Sequence, residues 1–214
     1  MSSITSKYLK VFNAKQFIES VSETQPSNVY FTFGRSWAWA NDSYPPLANS
    51  SVIALGEVWR NMIGGKKFTA KDIRHVVPRF DWQSGESYFQ FDDQIDSNAL
   101  KNGNTAFYVL TDENNVYKCI SNNNGSVSSY KPTTQSYTQD QTLLDGYIWK
   151  YMYTLSNDEI LKFSTPDYIP VRTLNSDDGS NQWRVQTSAI DGDIHHIQVY
   201  NTGAGYVSNN ITIV

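Results

Sequence analysis

Asp145-Gly146-Tyr147-Ile148-Trp149-Lys150-Tyr151-Met152-Tyr153 reads as a β-strand dominated by aromatic residues. Successive side chains of an extended chain point to opposite faces, so Tyr147, Trp149, Tyr151 and Tyr153 fall on one face and Ile148, Lys150, Met152 and Thr154 on the other. Far upstream, Tyr30-Phe31-Thr32-Phe33-Gly34-Arg35-Ser36-Trp37-Ala38-Trp39 alternates in the same way, with Phe31 and Phe33 on one face and Tyr30, Thr32 and Gly34 on the other. Neither stretch carries a nucleophile, a general base or a cluster of metal ligands. Strands of this kind build cores and interfaces.

Working outward from the two strands, the pattern predicts a short helix over Ala14 to Val21 with Asn13 as its N-cap. A second helix is expected from Ser51 to Ile63, stopped by Gly64-Gly65, with Ile53, Leu55, Val58, Trp59 and Met62 on one face. Thr69-Ala70-Lys71-Asp72 resembles a capping box and predicts a third short helix before Pro78. Strands are then expected over Ser87 to Phe91, Thr105 to Leu110, Val116 to Ile120 and Tyr168 to Arg172. Thr111 to Asn115 forms a hairpin loop, and a single helical turn is capped by Ser156 and Glu159. The Ser/Asn/Thr/Gln-rich run from Ser121 to Gln141 reads as a long exposed loop or finger. Leu174 to Gln182 reads as a linker, followed by strands over Arg184 to Ile190, Asp193 to Tyr200 and Asn210 to Val214. The final Ile211-Thr212-Ile213-Val214 has the character of a strand interior, which suggests a longer natural chain or pairing with another one.

With 214 residues, the chain is long enough to bury a core without disulfides or metals. Aromatic residues make up 14% and charged residues only 18%, against about 25% charged in an average domain. That balance favours a β-rich protein that also buries surface against other proteins. A net charge of -4 without a Lys/Arg run gives no footprint for nucleic acid. No apolar run reaches the roughly 20 residues of a membrane span, and the polar first ten residues contain no signal-peptide core. The lone Cys119 lies in an alternating run and is expected to be a small core residue in a protein made in a reducing compartment.

Several of these segments together carry a resemblance. Phe31-Thr32-Phe33-Gly34-Arg35-Ser36, the Trp59-x-x-Met62 helix, Val77-Pro78-Arg79-x-Asp81-Trp82 and Asp145-Gly146-Tyr147-Ile148-Trp149-Lys150-Tyr151 occur in the same order in a family of baseplate wedge subunits of T-even-type contractile-tailed bacteriophages. The resemblance covers most of positions 1 to about 170. It implies an α+β, β-rich fold, an antiparallel β-sandwich with a few short helices packed on or beside the sheets, over residues 1–173. Residues 174–214 would then be a linker and a strand-rich segment, a second small or truncated domain. It further implies a non-enzymatic, cofactor-free structural subunit of the virion tail baseplate, homodimeric and bound to other wedge proteins, assembled in the host cytoplasm without membrane insertion.

Candidates for chemistry are few. His195 and His196 are adjacent, so in a strand they face opposite ways and cannot readily share an ion. Asp81, Glu86, Asp92, Asp93 and Asp96 could hold a glycosidase pair only at carboxyl separations of about 5–10 Å, which sequence proximity does not show. Gly203-x-Gly205 lacks the third glycine and the helix of a dinucleotide fingerprint. Arg35 and Arg79 carry more information, because each sits beside aromatic residues, Trp37 in one case and Phe80 and Trp82 in the other. Both are expected in structural or interface pairing, Arg79 with Asp81 or Asp145. The candidate structural or interface residues are Arg35, Trp37, Trp39, Tyr44, Arg79, Asp81, Trp82, Tyr147, Trp149 and Tyr151, with the loop from Trp37 to Pro46 as the expected partner surface. The competing function is a receptor- or carbohydrate-binding module of a phage tail, in which exposed Trp and Tyr would stack on sugars.

Overall fold

The computed structural model describes residues 7–23, 25–47, 49–94, 105–190, 192–197 and 204–205. The chain divides into two compact units, Met1–Arg74 and His75–Val214. It is a mixed α+β protein whose sheets are all antiparallel.

In the first unit, helix α1 (Lys7–Ser22) precedes strand β1 (Tyr30–Gly34), helix α2 (Val52–Arg60), strand β2 (Met62–Lys67) and a 3-10 turn, Ala70–Asp72. Helix α2 begins as expected, with the Ser51 hydroxyl accepting the Ala54 N–H at 3.2 Å. Its end differs from the expectation. Gly64 and Gly65 do not stop a helix; they lie within β2, opposite Phe33 and Thr32 of β1. The reason is packing: the Phe33 ring lies over Gly64, where a Cβ would come within 2.9 Å of it. A large aromatic residue thus covers the strand where its glycine partner has no side chain. The expected third helix is reduced to one 3-10 turn. There the Asp72 carboxylate accepts the Thr69 N–H at 3.0 Å and pairs with Lys66 at 2.5 Å, which holds its carboxyl well below the usual range.

The second unit is built on a four-stranded sheet, ordered β4 (Tyr108–Leu110), β5 (Asn115–Asn122), β7 (Tyr147–Thr154) and β6 (Gln141–Thr142). A two-stranded sheet pairs β3 (Val76–Pro78) with β8 (Tyr168–Pro170). The chain also forms helices α3 (Asn157–Phe163) and α4 (Asn181–Thr187). The hairpin loop between Leu110 and Asn115 and the Ser156–Glu159 capping box both form as the sequence predicts.

Two aromatic cores form in this unit. One joins Tyr88, Val109, Tyr117, Cys119, Tyr147, Trp149, Tyr151 and Val185. The other joins Tyr108, Leu110, Val116, Tyr153, Leu155 and Ile169, so the two-stranded sheet contributes through Ile169. Tyr153 departs from the stripe expected for it. Tyr117 pairs with Tyr151 and the next residue, Val116, pairs with Tyr153, so Met152 is an extra residue in β7. Such a bulge reverses the alternation beyond it. Tyr153 therefore joins the second core, and its hydroxyl donates to the Pro170 carbonyl at 3.1 Å.

Further segments differ from expectation, the first being α1, which starts at Lys7 and carries Asn13, the expected N-cap, in its interior. Ser87 to Phe91 is not a ladder strand but an extended run held by single bonds, Phe89 N–H to Ala106 O at 3.0 Å and Phe91 N–H to Cys119 O at 2.8 Å. The polar run after Ser121 lies against its own unit, with Ser128 and Pro132 fully buried. The Asp145 carboxylate holds it there, accepting the Ser129 and Tyr130 N–H groups at 2.8 and 3.1 Å. Arg184 onward is helical rather than extended, because the element starts earlier, at the Ser180 cap, which places Gln182 and Val185 on one buried face. The expected strand over Asp193 to Tyr200 does not form in its described part, residues 193–197, and the last one, Asn210 to Val214, lies outside the described residues.

Cys119 is fully buried opposite Trp149, and burial pushes its thiol up to about 12. A native sample at pH 8 is expected to leave a thiol reagent such as DTNB unreacted, with stoichiometric reaction on adding denaturant. Rapid labelling of the native protein would contradict this placement.

Candidate interface

The first unit has an unusual surface. Among its described residues Val21 is the one buried side chain, while Trp37, Trp39, Tyr44, Val58 and Trp59 are exposed, Trp59 by 72% and Leu47 by 91%. Helix α2 carries Val52, Ile53, Leu55, Val58 and Trp59 and buries none of them. A helix that is apolar around most of its girth is normally covered on most of its girth. Here residues of the chain's own first unit do not cover it. Monomeric soluble proteins rarely leave contiguous apolar patches beyond a few hundred Å², and larger ones mark contact sites.

Within this surface lies an open groove of about 780 Å³, lined by Phe33, Trp37, Trp39, Leu47, Val58 and Met62 together with Arg35. Backbone geometry sets its floor. The β1–β2 ladder shifts register between Phe33 and Gly34, leaving Ile63 as an extra residue in β2, and Gly34 lies against the backbone of Asn61 and Met62. Arg35 follows with a φ of 80°, in the left-handed region that costs a non-glycine residue about 1–2 kcal/mol. Its N–H donates to the Asn61 carbonyl at 2.8 Å, which holds this conformation. The guanidinium carbon then lies 3.3 Å from the centre of the Trp39 ring and 5.7 Å from that of Trp37, in stacking and cation–π contact. The loop beyond is held by its own side chains, with the Trp39 N–H donating to the Asp42 carboxylate at 2.7 Å and the Ser43 N–H to the Asn41 amide oxygen at 3.0 Å. Tyr44 extends from this turn into solvent.

The other candidate residues lie in the second unit. Arg79 Nε donates to both carboxylate oxygens of Asp81, at 2.8 and 3.1 Å, and Nη1 reaches the Thr165 carbonyl at 3.4 Å. Both partners are part-exposed, so the pair contributes about 0–1 kcal/mol and chiefly orients the turn. Asp145 takes no part in it and serves as the cap of the polar run. Trp82 packs half-buried on the first core and donates to the Ser128 hydroxyl at 3.1 Å. Tyr147, Trp149 and Tyr151 are buried, with the Tyr147 and Trp149 rings stacked at 5.5 Å.

The sequence points to Arg35, Trp37, Trp39 and Tyr44 but not to Leu47, and its pattern sets Val58 and Met62 on one helix stripe without showing that the stripe is open. The available signal was the breadth of that stripe, which is wider than one packed face needs.

His195 Nε2 lies 2.9 Å from the Asp140 carboxylate. Among the described residues no group of three His, Cys, Asp or Glu side chains is placed to hold a metal ion. No helix among them is long and apolar enough to cross a membrane.

A mixed α+β chain with a packed aromatic core in one unit and an uncovered aromatic surface in the other has the surface chemistry of an assembly subunit. The chain belongs to the family described as Bacteriophage T4, Gp8, which matches residues 2–131. It is 24% identical over 202 residues to the baseplate wedge protein gp8 of Enterobacteria phage T4, an alignment that takes in 78% of this chain and 60% of the relative. The chain thus spans less than two thirds of the length of that relative. The resemblance carried by the four sequence motifs is borne out.

Proposed function

We propose that this chain is a structural subunit of a phage tail baseplate wedge, joining other wedge proteins in the contractile tail. Family membership gives the setting, and the uncovered aromatic surface of the first unit carries the inference about contact. Side chains such as Trp37, Trp39 and Trp59 gain from burial only if something outside the first unit supplies the cover, and Trp and Tyr are the residues that most often anchor contacts between chains. Aromatic anchors, a low charge density and the exposed face of α2 fit a large, permanent interface. The subunit acts as a homodimer, assembles in the host cytoplasm and ends in the virion baseplate. Its role is architectural, and the carboxylates of the second unit serve as caps and turn formers.

Light scattering on the purified chain, alone and then co-expressed with the other baseplate proteins of its phage, tests this. The expected result is a particle of twice the 24.3 kDa chain mass that enters a larger complex with those proteins. A monomer that joins none of them and instead binds glycans on an array would overturn the wedge role in favour of receptor binding.

A further inference from the structure

We propose that the groove of residues 32–62 seats a carboxylate-bearing, otherwise apolar segment of a neighbouring baseplate protein, and that Arg35 reads the carboxylate. The proposal rests on the wedge role above and adds the chemistry of the segment that docks.

Arg35 holds a left-handed φ at a conformational cost, and its guanidinium stacks on the Trp39 ring. Its Nη1 is closed off from solvent and has no hydrogen-bond partner. A guanidinium stays charged at any physiological pH and carries five N–H donors, so it is the cation that a carboxylate entering the groove would meet. Among the described residues, no carboxylate lies within ion-pair distance of Arg35.

The groove's other charged lining residues are Glu57 and Arg60, and Arg60 Nε donates to the Gly56 carbonyl at 3.3 Å. Two cations against one carboxylate leave the groove positive in a chain whose net charge is -4. A planar guanidinium fixed on an aromatic ring presents a fork that matches a carboxylate, and the stacking fixes its orientation before the partner arrives. Beside the polar Thr32, Asn49 and Asn61, the lining is mostly apolar, with Phe33, Trp37, Trp39, Leu47, Val58 and Met62, and suits apolar side chains flanking the acid. Two arginines in an acidic chain do not suit a nucleic-acid backbone, which needs many phosphate contacts.

The test uses the full chain co-expressed with the other baseplate proteins of its phage, with a benzophenone amino acid at Leu47, a fully exposed position on the groove rim. The expected crosslink is to a peptide of another baseplate protein with an Asp or Glu within a few residues of the crosslinked position. Arg35→Glu is expected to lower the yield of complex at least tenfold, and exchanging that partner carboxylate for arginine is expected to restore it. A crosslinked peptide without an acidic residue, an Arg35→Glu chain that assembles like the wild type, or a charge exchange that restores nothing would overturn the proposal. If the wild-type chain itself joins no baseplate protein, the wedge role fails. If wild type and Arg35→Glu join equally, this inference alone fails.

Discussion

Trp149→Ala is expected to destabilise the second unit more than any other single truncation in its core. The ring is fully buried, stacks on Tyr147 at 5.5 Å and meets the edge of Tyr88 at 5.6 Å. Removing it leaves a cavity that the stiff aromatic neighbours cannot collapse to fill. Large-to-small changes of this kind cost about 3–5 kcal/mol. At roughly 2–4 °C per kcal/mol for a protein of this size, the melting temperature should fall by about 6–20 °C. Cys119 lies directly opposite in the ladder, so it supplies an independent readout: its thiol should label faster in the variant under native conditions. Trp149→Phe, which keeps a ring stacked on Tyr147, should recover most of the loss. A melting temperature within 2 °C of wild type for Trp149→Ala would show that this core is not the one described.

The second large effect is confined to the other unit. A Cβ added at Gly34 would lie 2.4 Å from the Asn61 carbonyl oxygen and 3.0 Å from Met62 Cα. These are backbone atoms, which cannot swing aside as a side chain does. Gly34→Ala must therefore separate β1 from the turn between α2 and β2, and it loses the Arg35 N–H bond to Asn61. A cost of about 2–3 kcal/mol is expected from such overpacking, in a unit with one buried side chain among its described residues. Amide exchange should accelerate over Tyr30–Gly34 and Met62–Lys67 and stay unchanged over Tyr147–Thr154, while entry into the baseplate complex is lost. Unchanged protection in β1 and β2 would contradict the close approach. Comparing the two variants separates stability of the second unit from assembly through the first.

The places where sequence and structure diverge share a cause. Alternation along β7 assigned Tyr147, Trp149 and Tyr151 to one face correctly, since the pleat of a strand is a property of its own backbone. Tyr153 escaped because a bulge is set by two strands in register, and the partner strand is not legible from β7 alone. Gly64-Gly65 looks like a helix stop in isolation, because glycine is the common residue there. Only the pairing with Thr32 and Phe33 shows that the glycines lie in a strand and that Gly64 makes room for the Phe33 ring. Helix α2 was recognisable as an apolar helix, but its periodicity could not say whether its own chain covers it.

By itself, then, the sequence determined the family, through four ordered motifs, and the mixed α+β class with its antiparallel β7 ladder, its Ser51 and Ser156 helix starts and its buried cysteine. Those features rest on backbone geometry, capping and burial preference, which act over a few residues. The tertiary structure alone decided that residues 32–62 form an open groove with Arg35 stacked on Trp39, and that the first unit leaves its aromatic side chains uncovered. Exposure and stacking depend on which distant segments come together, and no local pattern encodes that.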